Sequence, residues 1–94
     1  MKIIECLWKE QFIEKLERKH QIATDEVEEV FHNTPRYGYI AKGRVKEENV
    51  YRALGQTDAG RYLAVFFVYK HRGKALPVSA RDMSPKERRR YERK

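Results

Sequence analysis

Three different spacings of hydrophobic residues along the chain predict three groups of elements. From about Arg61 to Lys70 nearly every position is apolar or aromatic, so a strand formed there has no polar face. Such a strand needs hydrogen-bonded neighbours on both sides and packing on both faces. β-branched and aromatic residues, which a buried pleated surface favours, dominate the segment. It therefore predicts the central strand of a small sheet.

Shorter runs on either side of this segment predict the rest of the sheet. Residues 50–56 and 75–81 predict its antiparallel neighbours, each joined to it by a short turn that contains glycine. Pro77 has no N–H to donate, so its strand lies at an edge or carries a bulge there. Residues 36–41 predict a minor strand or an ordered loop, and residues 2–7 a short first strand. We expect a small antiparallel sheet of three to four strands.

Helical spacing of apolar residues appears before the sheet and a helix-start signature after it. The first run predicts a helix from Lys9 to His20, and the second a short helix that begins at Thr24 as N-cap. Near the end, a serine, a proline and a glutamate at capping-box spacing predict a third helix from Pro85 to about Arg93. We expect one α+β domain over residues 1–94, with both N-terminal helices on one face of the sheet.

Charge is divided unevenly along the chain. The formal net charge of +7 is the sum of −3 in residues 1–35, +6 in residues 36–83 and +4 in the tail, residues 84–94. The sheet and the tail helix are therefore expected to form an electropositive surface opposite an acidic helical layer. Nucleic acid is the commonest partner of such a surface. The alternative is a small basic protein whose charge only keeps it soluble.

Composition argues against several function classes. The single cysteine, Cys6, cannot form an internal disulfide, which fits a reducing compartment. The N-terminal run is too short and too polar for a signal peptide, and no segment is apolar enough to enter a membrane, so we expect a cytoplasmic protein. Cys6 and the three histidines lack the paired spacing of metal ligands, and we expect neither a metal nor a cofactor.

A chain of this composition could still cleave RNA without a metal ion. Attack by the neighbouring 2′-hydroxyl needs a proton acceptor, a proton donor, and cations around the phosphorus. Arginines at the strand ends supply candidate cations: Arg61, Arg72 and Arg81. The candidate proton carriers are Lys19, His20, Glu48 and His71. Each also has a structural interpretation: a salt bridge for Arg81, a helix end for Lys19 and His20, and exposed loop positions for Glu48 and His71.

The order of several short motifs resembles the BrnT-type toxins, small bacterial ribonucleases of toxin–antitoxin pairs. The resemblance extends from Trp8 to Tyr91, and its most specific part is Val78-Ser-Ala-Arg81 followed by Glu87-Arg88 with Tyr91. The weaker motifs are Lys19-His20, Val30-Phe31, Glu48 ahead of Leu54-Gly55, and Gly60-Arg61. The resemblance implies a RelE-like fold and RNA cleavage that inhibits translation. It also implies a ribbon-helix-helix antitoxin, through which alone the toxin would contact DNA.

Two positions depart from the family pattern. Many members carry arginine where this chain has Val50 and Leu76. In this chain, Arg52 or Arg72 would then take the roles of those two arginines, and impaired catalysis is an alternative to full activity. A non-catalytic RNA- or DNA-binding module, or a module that docks a partner through its tail helix, is the alternative to an enzyme.

The residues and the resemblance together give a set of expected site residues. We expect Arg61 and Arg81 to converge on one scissile phosphate. The full catalytic set is Arg61, Arg81, Lys19, His20 and Glu48. The expected RNA-binding residues are Arg52, Arg72, Lys86, Arg88, Arg89, Arg90 and Tyr91.

Overall fold

The computed structural model describes residues 1–46 and 48–93, which form five strands and three helices. Helix α1 continues directly into a π-helical segment. In chain order the elements are β1 (Glu5–Cys6), α1 (Glu10–Lys15), the π-helical segment (Leu16–His20), α2 (Thr24–His32), β2 (Arg36–Ala41), β3 (Val50–Gln56), β4 (Tyr62–Lys70), β5 (Lys74–Asp82) and α3 (Pro85–Glu92).

The strands form one mixed sheet in the order β1-β5-β4-β3-β2. β2 to β5 are antiparallel neighbours, with β4 central as predicted. β1 runs parallel to β5 and pairs Glu5 with Lys74 and Cys6 with Ala75. The prediction of three to four strands was therefore wrong in number, and the predicted antiparallel pairing holds for β2 to β5 but not for β1. A two-residue strand is too short to show a spacing, and its pairing depends on the exposed edge that β5 offers it.

Helices α1 and α2 cover one face of the sheet, which we call the helical face. Leu63, Val65 and Phe67 of β4 point into it and are fully buried. Phe31 of α2 meets Phe67 edge-on, with ring centroids 5.1 Å apart. Burial of each such side chain stabilises the fold by about 1.5–3 kcal/mol. The opposite face carries Phe66 and is crossed at one end by α3; we call it the α3 face.

A one-residue bulge interrupts the pairing of β4 with β5. Phe67 pairs with Pro77, but Phe66 pairs with Ser79, so Val78 is the extra residue. The bulge adjoins the proline, in agreement with one of the two alternatives that its missing N–H predicts. Because one residue is inserted, every later side chain of β5 lies on the opposite face from the one a regular ladder would give it.

Helix α3 begins at the predicted cap and is held against the sheet. Ser84 Oγ accepts from the Glu87 N–H at 3.1 Å, and Glu87 Oε1 accepts from the Ser84 N–H at 2.9 Å. Tyr91 packs edge-on against Tyr62, with centroids 5.9 Å apart. Arg36 donates to the carbonyl oxygens of residues 90 and 93, which end the helix. The tail is thus docked in the free chain. At α2 the cap is Ala23 rather than the predicted Thr24.

Candidate functional site

The bulge in β5 separates the two arginines that we expected to share a phosphate. Arg81 pairs with Ala64, which lies on the α3 face. Arg61 stands two residues before Leu63 and therefore shares the helical face. If β5 paired with β4 without the bulge at Val78, Arg81 would pair with Leu63 and would share the helical face with Arg61. The expectation that both guanidinium groups line one cleft is wrong for this structure.

Arg61 closes the end of the helical layer. Its Nε donates to Asp82 Oδ1 at 2.8 Å, and its two Nη atoms donate to the carbonyl oxygens of His20 at 3.1 Å and Gln21 at 3.0 Å. The remaining N–H groups reach Asp82 Oδ2 at 3.2 Å and the Glu26 carboxylate at 3.4 Å. A guanidinium group has five N–H donors, and all five have acceptors here. This arginine has no spare donor for a phosphate.

The predicted proton carriers His20 and Lys19 lie beside Arg61, at the end of the π-helical segment. Lys19 is exposed and His20 half-exposed. The hydrogen bond from Arg61 lowers the pKa of the Asp82 carboxyl, and the charge of His20 lowers it further. The same hydrogen bond raises the pKa of Arg61. These residues form a charged network, but it lies on the face away from Arg81.

Arg81 and Arg52 converge on one carboxylate on the α3 face. Arg81 makes a two-pronged contact with Glu87, at 2.5 Å to Oε1 and 2.9 Å to Oε2. Arg52 Nη1 reaches the same Oε2 at 3.4 Å. Strands β3 and β5 flank β4, so the two arginines approach from opposite sides and Glu87 of α3 enters between them. Two guanidinium groups here enclose a single anionic position, which we call the twin-arginine site (Arg52, Arg81 and Glu87).

The twin-arginine site is electrostatically strong and partly open. The Glu87 side chain is 9% exposed, and its hydrogen bond from Arg81 and the one from the Ser84 N–H lower its pKa to about 2. Arg81 is 40% exposed and lies over the Phe66 ring, 5.3 Å from its centroid. Arg52 Nη2 and Arg81 Nε make no hydrogen bond within the described residues. Unlike Arg61, this pair therefore retains donors for a second anion.

The other predicted residues of the sheet lie at its far end. Glu48 Oε1 accepts from Lys70 Nζ at 2.6 Å. Lys70 is four residues, about 13 Å along β4, beyond Phe66, the partner of Arg52 in the ladder. Arg72 stands in the turn after β4, exposed and with a positive φ of 60°. Neither is brought to Arg81.

The predicted RNA-binding residues of the tail lie on α3. Lys86, Arg89 and Arg90 are exposed. Arg88 is also exposed but stacks on the Tyr62 ring at 3.9 Å and pairs with Glu92 at 3.6 Å. Tyr91 is half-buried against the same ring. On the helix that carries Glu87, these three basic side chains have no ion pair within residues 1–46 and 48–93.

Two residues of these clusters were missed by the sequence reasoning. The capping-box spacing predicts only a helix start for Glu87, whose carboxylate also binds both arginines. The apolar run predicts only a strand end for Lys70, which also pairs with Glu48. The capping signature is local and readable, whereas the second use of Glu87 depends on which face α3 covers, and no spacing within the tail shows that.

Within residues 1–46 and 48–93, no group of three His, Cys, Asp or Glu side chains is placed to hold a metal ion. None of the helices there combines the length and the apolar character needed to span a bilayer.

Comparison with known proteins shows the family of this chain. The crystal structure of the Brucella abortus ribonuclease toxin, BrnT, is similar in fold, with a TM-score of 0.64 and 18% sequence identity over 86% of this chain and 97% of that chain. A search among curated proteins found no match. Residues 8–87 match the family model described as the ribonuclease toxin, BrnT, of type II toxin–antitoxin systems. The matched region includes the twin-arginine site and covers most of the chain, which therefore belongs to the BrnT family of ribonuclease toxins.

Proposed function

We propose that this protein is a metal-independent endoribonuclease that cleaves RNA and inhibits translation, and that the scissile phosphate binds at the twin-arginine site. Family membership supports the ribonuclease activity. The observation that carries the location is the convergence of Arg52 and Arg81 on one carboxylate. Carboxylate and phosphate groups both accept two parallel hydrogen bonds from one planar guanidinium group, so arginine binds either of them in a more defined geometry than lysine does.

The proposed reaction uses the 2′-hydroxyl of the substrate as nucleophile. The 2′-oxygen forms a bond to phosphorus and gives up its proton, the bond from phosphorus to the 5′-oxygen breaks, and that oxygen takes a proton. The products are a 2′,3′-cyclic phosphate and a 5′-hydroxyl. Negative charge builds on the phosphate oxygens in the transition state, and positioned guanidinium groups stabilise it. A carboxyl with a pKa of about 2 is a weak base, so we assign Glu87 to holding the arginines.

The roles predicted for the other residues change with their positions. Arg61 is proposed to be structural, because all its N–H groups are used within the chain. The catalytic roles of Lys19, His20 and Glu48 stay predictions, and none of these residues adjoins Arg81. Exposed basic residues of α3 are proposed to attract the RNA backbone.

The two departures from the family pattern fit this location. Val50 and Arg52 lie two residues apart on β3 and therefore share the α3 face. Arg52 is thus placed to replace an arginine at position 50. Leu76 is buried and pairs with Val68 in the ladder between β4 and β5. The turn residue Arg72 has no comparable access to the twin-arginine site.

Membership of a type II family implies an antitoxin partner and an RNA substrate. We propose that the antitoxin is a ribbon-helix-helix protein, that the complex contacts DNA only through it, and that the toxin acts in the cytoplasm. A neighbouring reading frame that encodes such a protein and neutralises the toxin when both are co-expressed would support this. Neutralisation by an antitoxin of another fold would contradict it.

The test of the enzyme is cleavage of RNA by purified protein in excess EDTA. The parent protein should leave 2′,3′-cyclic phosphate ends, and the double variant Arg52→Ala/Arg81→Ala should leave the RNA intact. Arg18→Ala is the matched control, because Arg18 is 80% exposed on the π-helical segment and pairs only loosely with Glu14, at 4.0 Å. Cleavage that EDTA abolishes, or that the double variant retains, would overturn the proposal.

A further inference from the structure

A cleft lies beside the twin-arginine site, between the sheet and the C-terminal half of α3. It encloses a cavity of about 480 Å³. Its lining residues come from the segment before β2, from β2, β3 and β4, and from α3: Thr34, Arg36, Gln56, Tyr62, Tyr91 and Glu92. Aromatic, cationic, anionic and amide groups thus meet in one concave space. The tail-docking contacts use only some of their hydrogen-bonding atoms.

The aromatic wall of this cleft is rigid. Tyr62 contacts the Arg88 guanidinium, 3.9 Å from its ring centroid, and meets the ring of Tyr91 edge-on. The Tyr62 hydroxyl donates to Glu92 Oε2 at 3.3 Å. Tyrosine rings fixed beside an arginine are the surfaces on which unpaired RNA bases stack.

The polar groups of the cleft match one base better than the others. Glu92 offers a second carboxylate oxygen, Oε1, which has no partner within residues 1–46 and 48–93, and Arg36 uses only Nη1 for the α3 carbonyls. Guanine alone has two adjacent donors, N1–H and N2–H, for a carboxylate, and its O6 and N7 accept from arginine. Adenine and cytosine would turn a lone pair toward the carboxylate, and uracil offers it a single donor.

An open path connects this cleft to the twin-arginine site. Gly38 of β2 pairs with Arg52, and Arg36 lies two residues before Gly38 on the same face, about 7 Å along the strand. A Cβ atom built on Gly38 would meet nothing within 4 Å, so the space above it is free. The step is similar in length to the separation of neighbouring phosphates in a single strand.

We propose that the cleft between Arg36 and Glu92 is a guanine-binding subsite for the nucleotide next to the bound phosphate. This inference rests on the proposed function, because it takes the twin-arginine site as the position of the RNA phosphate. Glu92 and Arg36 read the base edges, and the tyrosines hold its face. The subsite would give the toxin a preference for RNA with guanine at one position.

The test uses binding, so that it stays separate from cleavage. Fluorescence anisotropy with 2′-O-methylated hexanucleotides, which have no free 2′-hydroxyl, compares a single guanosine, inosine or adenosine within uridines. Inosine lacks only the N2 amino group. The parent should bind the guanosine hexamer about tenfold more tightly than the inosine one, since hydrogen bonds to charged groups contribute a factor of this size or more. Glu92→Gln should remove most of that preference. Glu14→Gln is the matched control, since Glu14 is also an exposed glutamate paired with an arginine four residues away.

A second pair of variants tests the path. Gly38→Glu should weaken binding of the guanosine hexamer several-fold relative to Gly38→Gln, because only the first adds a negative charge in the open space. Equal affinity for the three hexamers, a preference unchanged in Glu92→Gln, or equal binding by the Gly38 variants would overturn the subsite. Guanine preference without cleavage in EDTA would support the subsite while overturning the enzyme.

Discussion

The two arginine clusters of this protein use the same kind of contact for different ends. Arg61 closes the helical layer with every N–H bound to the chain, and its carboxylate partner Asp82 is 65% exposed. Arg81 shares an almost buried carboxylate, Glu87, with Arg52. Its guanidinium group lies over the Phe66 ring and still has unused N–H donors. A paired arginine is therefore informative about function only when its unused donors are counted.

The largest expected contrast between the clusters is in catalysis. Arg81→Gln should lower the cleavage rate about 10²–10³-fold, as removal of a donor to a developing oxyanion does. Arg61→Gln should cleave about as fast as the parent per folded molecule. Single-turnover rates, normalised to the folded fraction from circular dichroism, give the comparison. A similar loss in both variants would show that Arg61 acts on the substrate after all.

The clusters should also differ in their response to acid. The pKa of Glu87 is lowered from 4.5 to about 2, so the charged carboxylate stabilises the folded state. This contribution is fully present at pH values above the pKa of Glu87 in the unfolded chain and is lost as the pH falls toward 2. A shift of this size is equivalent to at most about 3 kcal/mol. Glu87→Gln should flatten the dependence of unfolding free energy on pH between 5 and 2, measured by urea denaturation. Asp82→Asn should flatten it much less, because Asp82 is largely exposed.

The position of these clusters explains what the sequence could and could not predict. The central strand and the cap of α3 follow from local patterns, since an apolar run and a serine–proline–glutamate spacing act within a few residues. The faces of Arg61 and Arg81 depend on whether β5 contains an extra residue. Pro77 indicated a bulge or an edge, but the alternation of β5 does not show whether an extra residue is present. That one residue reverses the face of Arg81.

The structural role assigned to Arg61 should appear in the free energy of unfolding. Arg61→Ala leaves the carbonyl oxygens of His20 and Gln21 without their donor and should lower the unfolding free energy by about 2 kcal/mol. Arg61→Lys should restore little of this, because an ammonium group cannot reproduce the planar fork. Arg18→Ala, which removes an exposed pair, should change stability by less than about 0.5 kcal/mol. An Arg61→Ala variant as stable as Arg18→Ala would remove the structural role assigned to Arg61.

The smallest expected effect concerns the exposed arginines of α3, the helix that carries Glu87 of the twin-arginine site. A phosphate contact from Arg89 releases a counterion, so Arg89→Ala should reduce the slope of log affinity against log salt concentration by about 0.7 for single-stranded RNA. The loss should be the same for guanosine and inosine hexamers, because a backbone contact carries no base information. Arg18→Ala removes the same charge from the other side of the molecule and should leave the slope unchanged. Equal slopes for both variants would mean that RNA does not follow α3, and the basic surface would then have to be sought around the helical layer.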